Sequence, residues 1–388
     1  MPQSNIMFLN VFIYFMILTI GVTFSIAGLV NKFIATTFAV ETYVVGYCFT
    51  LFSVAYSSAV LGNGWLLEKV GVRRLLRANC GLAAIAMLCA INAPTLSVFS
   101  VFLFLFGFGM GVLLPTSFHL TMLLYDEKAR AGRAITITFF FSIGSIIGPL
   151  LAGLAIDWGI NWQGVYLGIV AMLLVIILGT FAQSFAIFEP KKLYGAETAV
   201  TWSINVYVAG LAVLCYMISE FILNYWIVQY LMERLTMSVV LASTCLSIFW
   251  GCVTAGRLAG RFILAKVQLA HYIIISSLIA CGAFAALQWA RTTYQAMALI
   301  ALMGLSYSGL YPTLVSFGTF QTPRPSPRMT SFFLAAGSAG GIMSFLLSSY
   351  LKQNFGVSTV MATGAGLLSL VSLLTTIVWL RNNRNHMP

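Results

Sequence analysis

Charged side chains are scarce in this sequence: they make up 7% of its 388 residues, whereas hydrophobic residues make up 60%. A soluble globular domain has about 25% charged residues. Nine acidic residues and three histidines, scattered along the chain, offer neither a metal-binding cluster nor an acid–base pair. A phosphate-binding loop of the type G-x-x-x-x-G-K-(S/T) is also missing. The sequence therefore predicts no enzyme, no cofactor and no ATP-driven activity of this chain alone.

Cysteine is present but without the spacing of metal ligands. All seven cysteines lie in apolar segments, which is typical of small buried residues and not of a disulfide framework. They are Cys48, Cys80, Cys89, Cys215, Cys245, Cys252 and Cys281.

Long apolar runs are the dominant positive feature. A run of about 20 apolar residues is long enough to cross a bilayer as a helix. We predict twelve such runs and hence an all-α polytopic membrane protein, with two six-helix bundles of the major facilitator type. The predicted spans are residues 7–30, 44–67, 75–93, 97–124, 135–156, 164–187, 203–228, 239–263, 270–289, 294–319, 330–351 and 357–380.

The net charge of +11 is distributed unevenly between the two sets of alternating loops. With the N-terminus in the cytoplasm, 16 lysines and arginines fall on the cytoplasmic side and 4 on the outer side. This asymmetry follows the positive-inside rule. It predicts a bacterial inner-membrane protein with both termini cytoplasmic, and it makes a nucleic-acid partner unnecessary as an explanation of the charge.

The sequence also repeats itself. Phe139-Phe140 and Gly144-Ser145 recur 193 residues later at Phe332-Phe333 and Gly337-Ser338. Such repeats are typical of transporters whose substrate path lies between the repeats. We therefore predict an N-terminal bundle at 1–187, a cytoplasmic linker at 188–201 and a C-terminal bundle at 202–388, acting as a monomer.

The most specific motif follows the second span. The run from Gly64 to Arg74 has the spacing G-x-x-x-(D/E)-(R/K)-x-G-x-(R/K)-(R/K), and it resembles the loop between the second and third helices of the major facilitator superfamily. The resemblance implies a cytoplasmic gate formed by Gly64, Glu68, Lys69, Gly71, Arg73 and Arg74. A matching gate of the second half is predicted at Gly256, Arg257 and Arg261.

The fifth predicted span carries Gly144, Gly148, Pro149 and Gly153. It resembles the superfamily's G-x-x-x-G-P-x-x-x-G element, which is often associated with antiport. Glycines four residues apart lie on one helix face and allow close packing, whereas proline removes a backbone donor. Tight helix packing and a rocking hinge are both compatible with this pattern.

The fourth and tenth spans share a G-x7-P-T pattern, from Gly107 to Thr116 and from Gly304 to Thr313. The second pattern resembles the fucose-permease-like branch of the superfamily. The similarity is closer still to TsgA-type transporters of bacteria, through Leu214-Cys215-Tyr216, Phe249-Trp250 and Gln321-Thr322. This resemblance implies an inner-membrane permease.

Glu220 is the acidic residue that the sequence places inside a predicted span, with the other eight in loops or at span edges. A charge within the bilayer is costly, so this carboxyl group is expected to face a cavity, exchange protons or bond to neighbouring helices. The candidate proton or substrate site comprises Glu220, Asn224, Tyr216, His119, Tyr307 and Tyr311.

The sequence therefore favours a secondary active transporter for a small sugar-like or amphipathic solute, with protons as a possible coupling ion and the lipid bilayer as its surroundings. Efflux of a toxic compound is the alternative within this class. A non-transporting sensor or assembly partner with the same fold is the alternative from another class, and the intact Gly64–Arg74 motif argues against it.

The charge asymmetry yields a prediction about topology. Reporter domains fused after Lys192 and at the C-terminus should both report a cytoplasmic location, because the basic loops are retained on that side. Alkaline phosphatase and fluorescent-protein fusions measure the two sides independently. A periplasmic signal at either position would contradict the predicted orientation.

Overall fold

The computed structural model describes residues 3–125, 127–182, 202–264, 266–322 and 327–385. Within these ranges, the side chains of residues 3–5, 127–132, 134–135, 182, 261, 327–328, 330 and 383–385 are not described. The chain forms two compact units, Met1–Gly195 and Ala196–Pro388. The predicted linker at 188–201 and the predicted end of the sixth span at 183–187 lie outside the described residues.

Unit 1 contains seven described helices. They are α1 Gln3–Thr37, α2 Thr42–Val70, α3 Val72–Ile91, α4 Leu96–Gly111, α5 Leu113–Leu124, α6 Glu127–Asp157 and α7 Trp162–Ala182. The most extensive packing joins α1 to α6, α2 to α4, α3 to α4, and α3 to α7.

Unit 2 repeats this arrangement. Its helices are α8 Ile204–Arg234, α9 Val239–Leu264, α10 Leu269–Ala286, α11 Thr293–Tyr307, α12 Leu310–Thr319, α13 Pro327–Phe355 and α14 Val357–Asn385, with a 3₁₀ turn at Leu287–Trp289. The corresponding pairs are α8 with α13, α9 with α11, α10 with α11, and α10 with α14.

Two of the spans consist of two helices each. Helices α4 and α5 together form the span Leu96–Leu124, and α11 and α12 form Thr293–Thr319. Pro115 and Pro312 each occupy the third position of the helix after the break, where a missing N–H costs little because first-turn donors have no partner within the helix.

The described residues contain twelve helical segments that are long and apolar enough to cross a membrane. In those residues no strand occurs. The predicted span count and the all-α class are therefore confirmed. The first span alone is 32 residues long, from Ile6 to Thr37.

Glycine–carbonyl crossings bring the central helix pairs together. A Cβ atom added at Gly144 would collide with the carbonyl oxygen of Leu18, and one added at Gly21 would collide with the carbonyl oxygen of Phe141. The contact between α1 and α6 is therefore reciprocal, and each helix uses a glycine to approach the other's backbone. Small residues at such crossings are what allow helices to associate in lipid.

The same crossing recurs between α8 and α13, where a Cβ atom added at Gly340 would lie 3.0 Å from the carbonyl oxygen of Leu214. Gly340 and Leu214 each lie 196 residues after their counterparts, Gly144 and Leu18. Between α9 and α11 the offset is 197, since Gly304 faces the carbonyl oxygen of Phe249 as Gly107 faces that of Phe52.

At this crossing the counterpart of Gly144 is therefore Gly340, and not Gly337 as in the sequence match. Near the helix starts, the ring pair Tyr14–Phe140 recurs as Tyr207–Phe332, which fits the 193-residue offset within one position. At the glycine crossing the offset is three residues larger. The ring pairs are therefore not equivalent in position, since Tyr14 precedes the crossing residue Leu18 by four residues and Tyr207 precedes Leu214 by seven.

The crossing of α1 and α6 generates a stability prediction. Gly144→Ala should lower the unfolding free energy of the detergent-solubilised protein by about 1–3 kcal/mol, since an added methyl group in a packed contact forces the backbones apart. Denaturant titration of the purified variant measures this change.

Gly168→Ala in α7 is the matched control, because a Cβ atom there meets no atom within 4 Å. Its unfolding free energy should stay within about 0.5 kcal/mol of the parent. Equal effects of the two substitutions would show that the crossing at Gly144 is not a tight constraint.

Candidate functional site

The Gly64–Arg74 segment forms the end of α2, the turn and the start of α3. Gly71 has a φ of 78° and lies between the two helices, a conformation that residues with a Cβ atom rarely adopt. Glu68, Arg73 and Arg74 are exposed. Lys69 lies with its Nζ atom 4.0 Å from the ring centroid of Trp65. This segment is therefore a surface feature of unit 1.

A Cβ atom added at Gly64, the first residue of the predicted gate, would meet no atom within 4 Å, so no close helix approach depends on this glycine. Close approach is instead found at Gly144 and Gly148, which both contact α1. Pro149 and Gly153 are buried in α6, which continues through the proline.

Unit 2 contains a set of polar and aromatic side chains that we call the polar cluster. Helix α8 supplies three of them, α9 supplies one, and α11 and α12 supply one each. The members are Tyr216, Ser219, Glu220, Arg257, Tyr307 and Tyr311.

Hydrogen bonds hold the buried part of the polar cluster. Ser219 Oγ lies 2.7 Å from the hydroxyl of Tyr307 and donates to the carbonyl oxygen of Gly364 at 2.8 Å. The Tyr216 hydroxyl is shared between the Glu220 carboxylate and the carbonyl oxygen of Tyr307, 3.4 Å away. Helices α8, α11 and α14 are thereby joined through three side chains.

The tyrosine rings of the cluster form a continuous aromatic surface. The ring centroid of Tyr216 lies 5.6 Å from that of Tyr307 and 6.4 Å from that of Tyr311. Tyr216 and Tyr307 are buried, whereas Tyr311 and Glu220 are partly exposed. Arg257 is partly exposed as well, so the buried members of the cluster are Tyr216, Ser219 and Tyr307.

Asn224, one turn beyond Glu220, belongs to a neighbouring contact. Its Oδ1 atom accepts a hydrogen bond from Trp250 Nε1 at 3.0 Å. Both side chains are buried. The interaction fixes the indole of α9 against α8, directly beside the cluster.

Arg257 was predicted to form a gate with Gly256 and Arg261. It donates from Nε to the carbonyl oxygen of Ser308 at 3.3 Å, and it interacts electrostatically with Glu220 and Tyr216. Gly256 lies against Ser308 and Leu305, so it lets α9 approach α11 closely. The side chain of Arg261 lies outside the described residues. Arg257 is therefore part of the cluster that contains Glu220.

The repeat gives each cluster member a counterpart in unit 1, at an offset of 196 residues for α8 and 197 for the other helices. One counterpart, Thr23, keeps a hydroxyl group, and the rest are apolar. In the order given for the cluster, they are Ile20, Thr23, Phe24, Val60, Met110 and Leu114. The charged groups are therefore confined to one of two similar scaffolds.

His119, the remaining predicted site residue, is half-buried in α5 of unit 1. It thus belongs to a different unit from Glu220.

Sequence reasoning missed Ser219 and the carbonyl groups of Ser308 and Gly364. A serine beside an intramembrane glutamate carries no distinctive pattern, although its burial at 0% exposure marks it in the structure. The position of the Ser308 carbonyl group depends on where α11 ends, and the G-x7-P-T pattern did not specify that residue.

The twelve apolar helical spans of the described residues are those of a polytopic membrane protein. A family model described as Major Facilitator Superfamily matches residues 8–324. The chain therefore belongs to the major facilitator superfamily, as its motifs predicted.

Among known proteins, the chain is similar to a TsgA homolog of Erwinia tasmaniensis, with 26% identity over 361 residues that cover 92% of this chain and 91% of the relative. It is also similar to Protein TsgA of Escherichia coli O6:K15:H31, with 26% identity and coverage of 94% and 93%. These relatives confirm the resemblance to TsgA-type proteins.

Solved structures share the fold. The D-xylose-proton symporter matches with a TM-score of 0.79, 11% identity and coverage of 96% of this chain and 97% of that chain. A mutant of the nucleoside transporter NupG matches with a TM-score of 0.77, 14% identity and coverage of 96% and 100%.

The Ser219–Tyr307 contact generates a prediction. Ser219→Ala should lower the unfolding free energy by about 1–3 kcal/mol, because it leaves the Tyr307 hydroxyl and the Gly364 carbonyl without this buried partner. The double variant with Tyr307→Phe should cost less than the sum of the single changes, by about 0.5–3 kcal/mol.

Denaturant unfolding of the four proteins measures this coupling. Ser58→Ala, at an exposed serine that bonds only within its own helix, is the control and should change stability by less than about 0.5 kcal/mol. Strict additivity of Ser219→Ala and Tyr307→Phe would show that the two groups act independently.

Proposed function

We propose that the protein is a secondary active transporter that moves a small solute across the bacterial inner membrane by alternating access. Membership of the major facilitator superfamily supports transport. The observation that carries the proposal is the polar cluster of unit 2, where a partly exposed carboxylate and a guanidinium lie inside membrane spans. Ionisable groups at such positions are expensive, which favours a functional role over a structural one.

Coupling to protons is the second part of the proposal. One structurally similar protein is titled a D-xylose-proton symporter, and another a nucleoside transporter. In this chain Glu220 is the group that suits proton exchange, because it is partly exposed and the hydroxyl of Tyr216 donates to its ionised form. A carboxyl group that is ionised and hydrogen-bonded in one conformation and protonated in another can link proton movement to a change of conformation.

We propose that residues 1–187 and 202–388 are the two moving bundles and that residues 188–201 are the linker between them. The surface segment from Gly64 to Arg74 is proposed to act at the cytoplasmic gate of unit 1. The exposed Glu68, Arg73 and Arg74 support this role, since exposed ion pairs are individually weak and can break and re-form during a cycle.

Vesicles loaded with a pH-sensitive dye test the proposal without a labelled substrate. Proteoliposomes exposed to sugars, nucleosides, amino acids, organic acids or amphipathic amines should change internal pH when a compound is transported together with, or in exchange for, protons. Glu220→Gln should reduce this flux to the level of empty vesicles, since glutamine keeps the shape of the side chain but cannot release a proton.

Glu41→Gln is the matched control. Because Glu41 is exposed at the start of α2, its substitution should leave proton flux unchanged. Normal flux in the Glu220→Gln variant would remove this residue from coupling. No flux with any compound in the parent protein, together with equal signals from empty vesicles, would contradict proton-coupled transport.

A further inference from the structure

The charges inside the spans of unit 2 form an opposite pair. Among the described residues of its spans, Glu220 of α8 and Arg257 of α9 are the charged side chains that lie more than one turn from a span end. They are within electrostatic reach of each other. The formal charges sum to zero, so the cluster presents a positive and a negative pole without a net charge.

Neutral hydrogen-bonding groups around these poles are used within the protein. Ser219, Tyr307 and the Gly364 carbonyl bond to one another. Asn224 accepts from Trp250. A sugar needs many neutral donors and acceptors, and these groups are already engaged. The partly exposed members of the cluster are Glu220, Arg257 and Tyr311. Two of these three groups are charged, and they also have the larger hydrogen-bonding capacity, since a carboxylate has about four acceptor sites and a guanidinium has five N–H donors.

The balance of charge selects among charged ligands. In a site of low dielectric constant, a ligand with a single charge is attracted by one of the two charged side chains and repelled by the other. Its own charge is therefore poorly compensated. A molecule with separated positive and negative groups satisfies both poles and adds no net charge. The partly exposed ring of Tyr311, which packs on the buried ring of Tyr216, provides an apolar surface beside the two charged groups.

We infer that the polar cluster binds a zwitterionic small molecule, with its carboxylate at Arg257, its ammonium group at Glu220 and its hydrocarbon part against Tyr311. This inference rests on the proposed transport function and narrows its substrate class from the sugar-like or amphipathic solutes that the sequence favours. In a transport cycle, Glu220 would hold the ammonium group in one step and a proton in another, so that the two exchange at one carboxylate.

Two sets of probes with matched skeletons test the charge requirement. The first set is phenylalanine, hydrocinnamate and phenethylamine, and the second is γ-aminobutyrate, butyrate and butylamine, with glucose as a neutral polyol. Calorimetric titration of the purified full-length protein in nanodiscs gives each dissociation constant. At least one zwitterion should bind about tenfold or more tightly than its anion, its amine and glucose, because each charged contact contributes separately.

Two variants then test which group of the ligand each charged side chain contacts. Arg257→Gln should remove the advantage of the zwitterion over the amine, and Glu220→Gln should remove its advantage over the anion. A merely structural role would instead weaken all probes by the same factor. Arg291→Gln and Glu41→Gln, both at exposed positions, should leave the preferences unchanged.

The inference is overturned if glucose or a singly charged probe binds as tightly as the zwitterions, if neither zwitterion binds, or if both variants keep the parent preference. Its failure is distinguishable from failure of the transport proposal. Glu220-dependent proton flux with a polyol would sustain proton-coupled transport and reject the zwitterion site, whereas zwitterion binding without proton flux in vesicles would sustain the site and reject proton-coupled transport.

Discussion

The absence of water from the hydrocarbon region constrains every level of this structure. Backbone groups must be satisfied within helices, so the described chain is built from twelve apolar helical spans. Because lipid provides little hydrophobic drive for helix association, the helices depend on close backbone approach. Gly21, Gly144 and Gly340 provide that approach at the crossings of α1 with α6 and of α8 with α13. The same lack of water makes each charged side chain inside a span costly and hence informative.

The two units share these crossings but differ in chemistry. Gly107 and Gly304 contact equivalent carbonyl groups, which shows that the scaffolds are alike. Around the crossings, unit 2 carries Glu220 and Arg257 where unit 1 carries Phe24 and Val60. Packing and ligand chemistry are thus separable in this fold, since the glycine contacts are repeated in both units and the charged contacts occur in one.

Much of this structure was predictable from the sequence, because span length and the glycine motifs depend on local properties. Glu220 and Tyr216 could be placed on one helix face from their four-residue spacing. The interaction of Arg257 with Ser308 and Glu220 could not be predicted, because it depends on how deeply the arginine side chain reaches between α8 and α11. The offset of 196 residues at the glycine crossing, in place of the 193 of the sequence match, was also hidden, because single glycine matches are compatible with several offsets.

The unequal distribution of charge between the repeats has an evolutionary consequence. Selection on helix packing acts on both units, whereas selection on the proposed ligand contacts acts on the unit with Glu220 and Arg257. On the proposed role of the polar cluster, specificity can therefore diverge through codon changes confined to the second half of the gene. Recombination that exchanges second halves between related genes would then transfer substrate preference as a single inherited block.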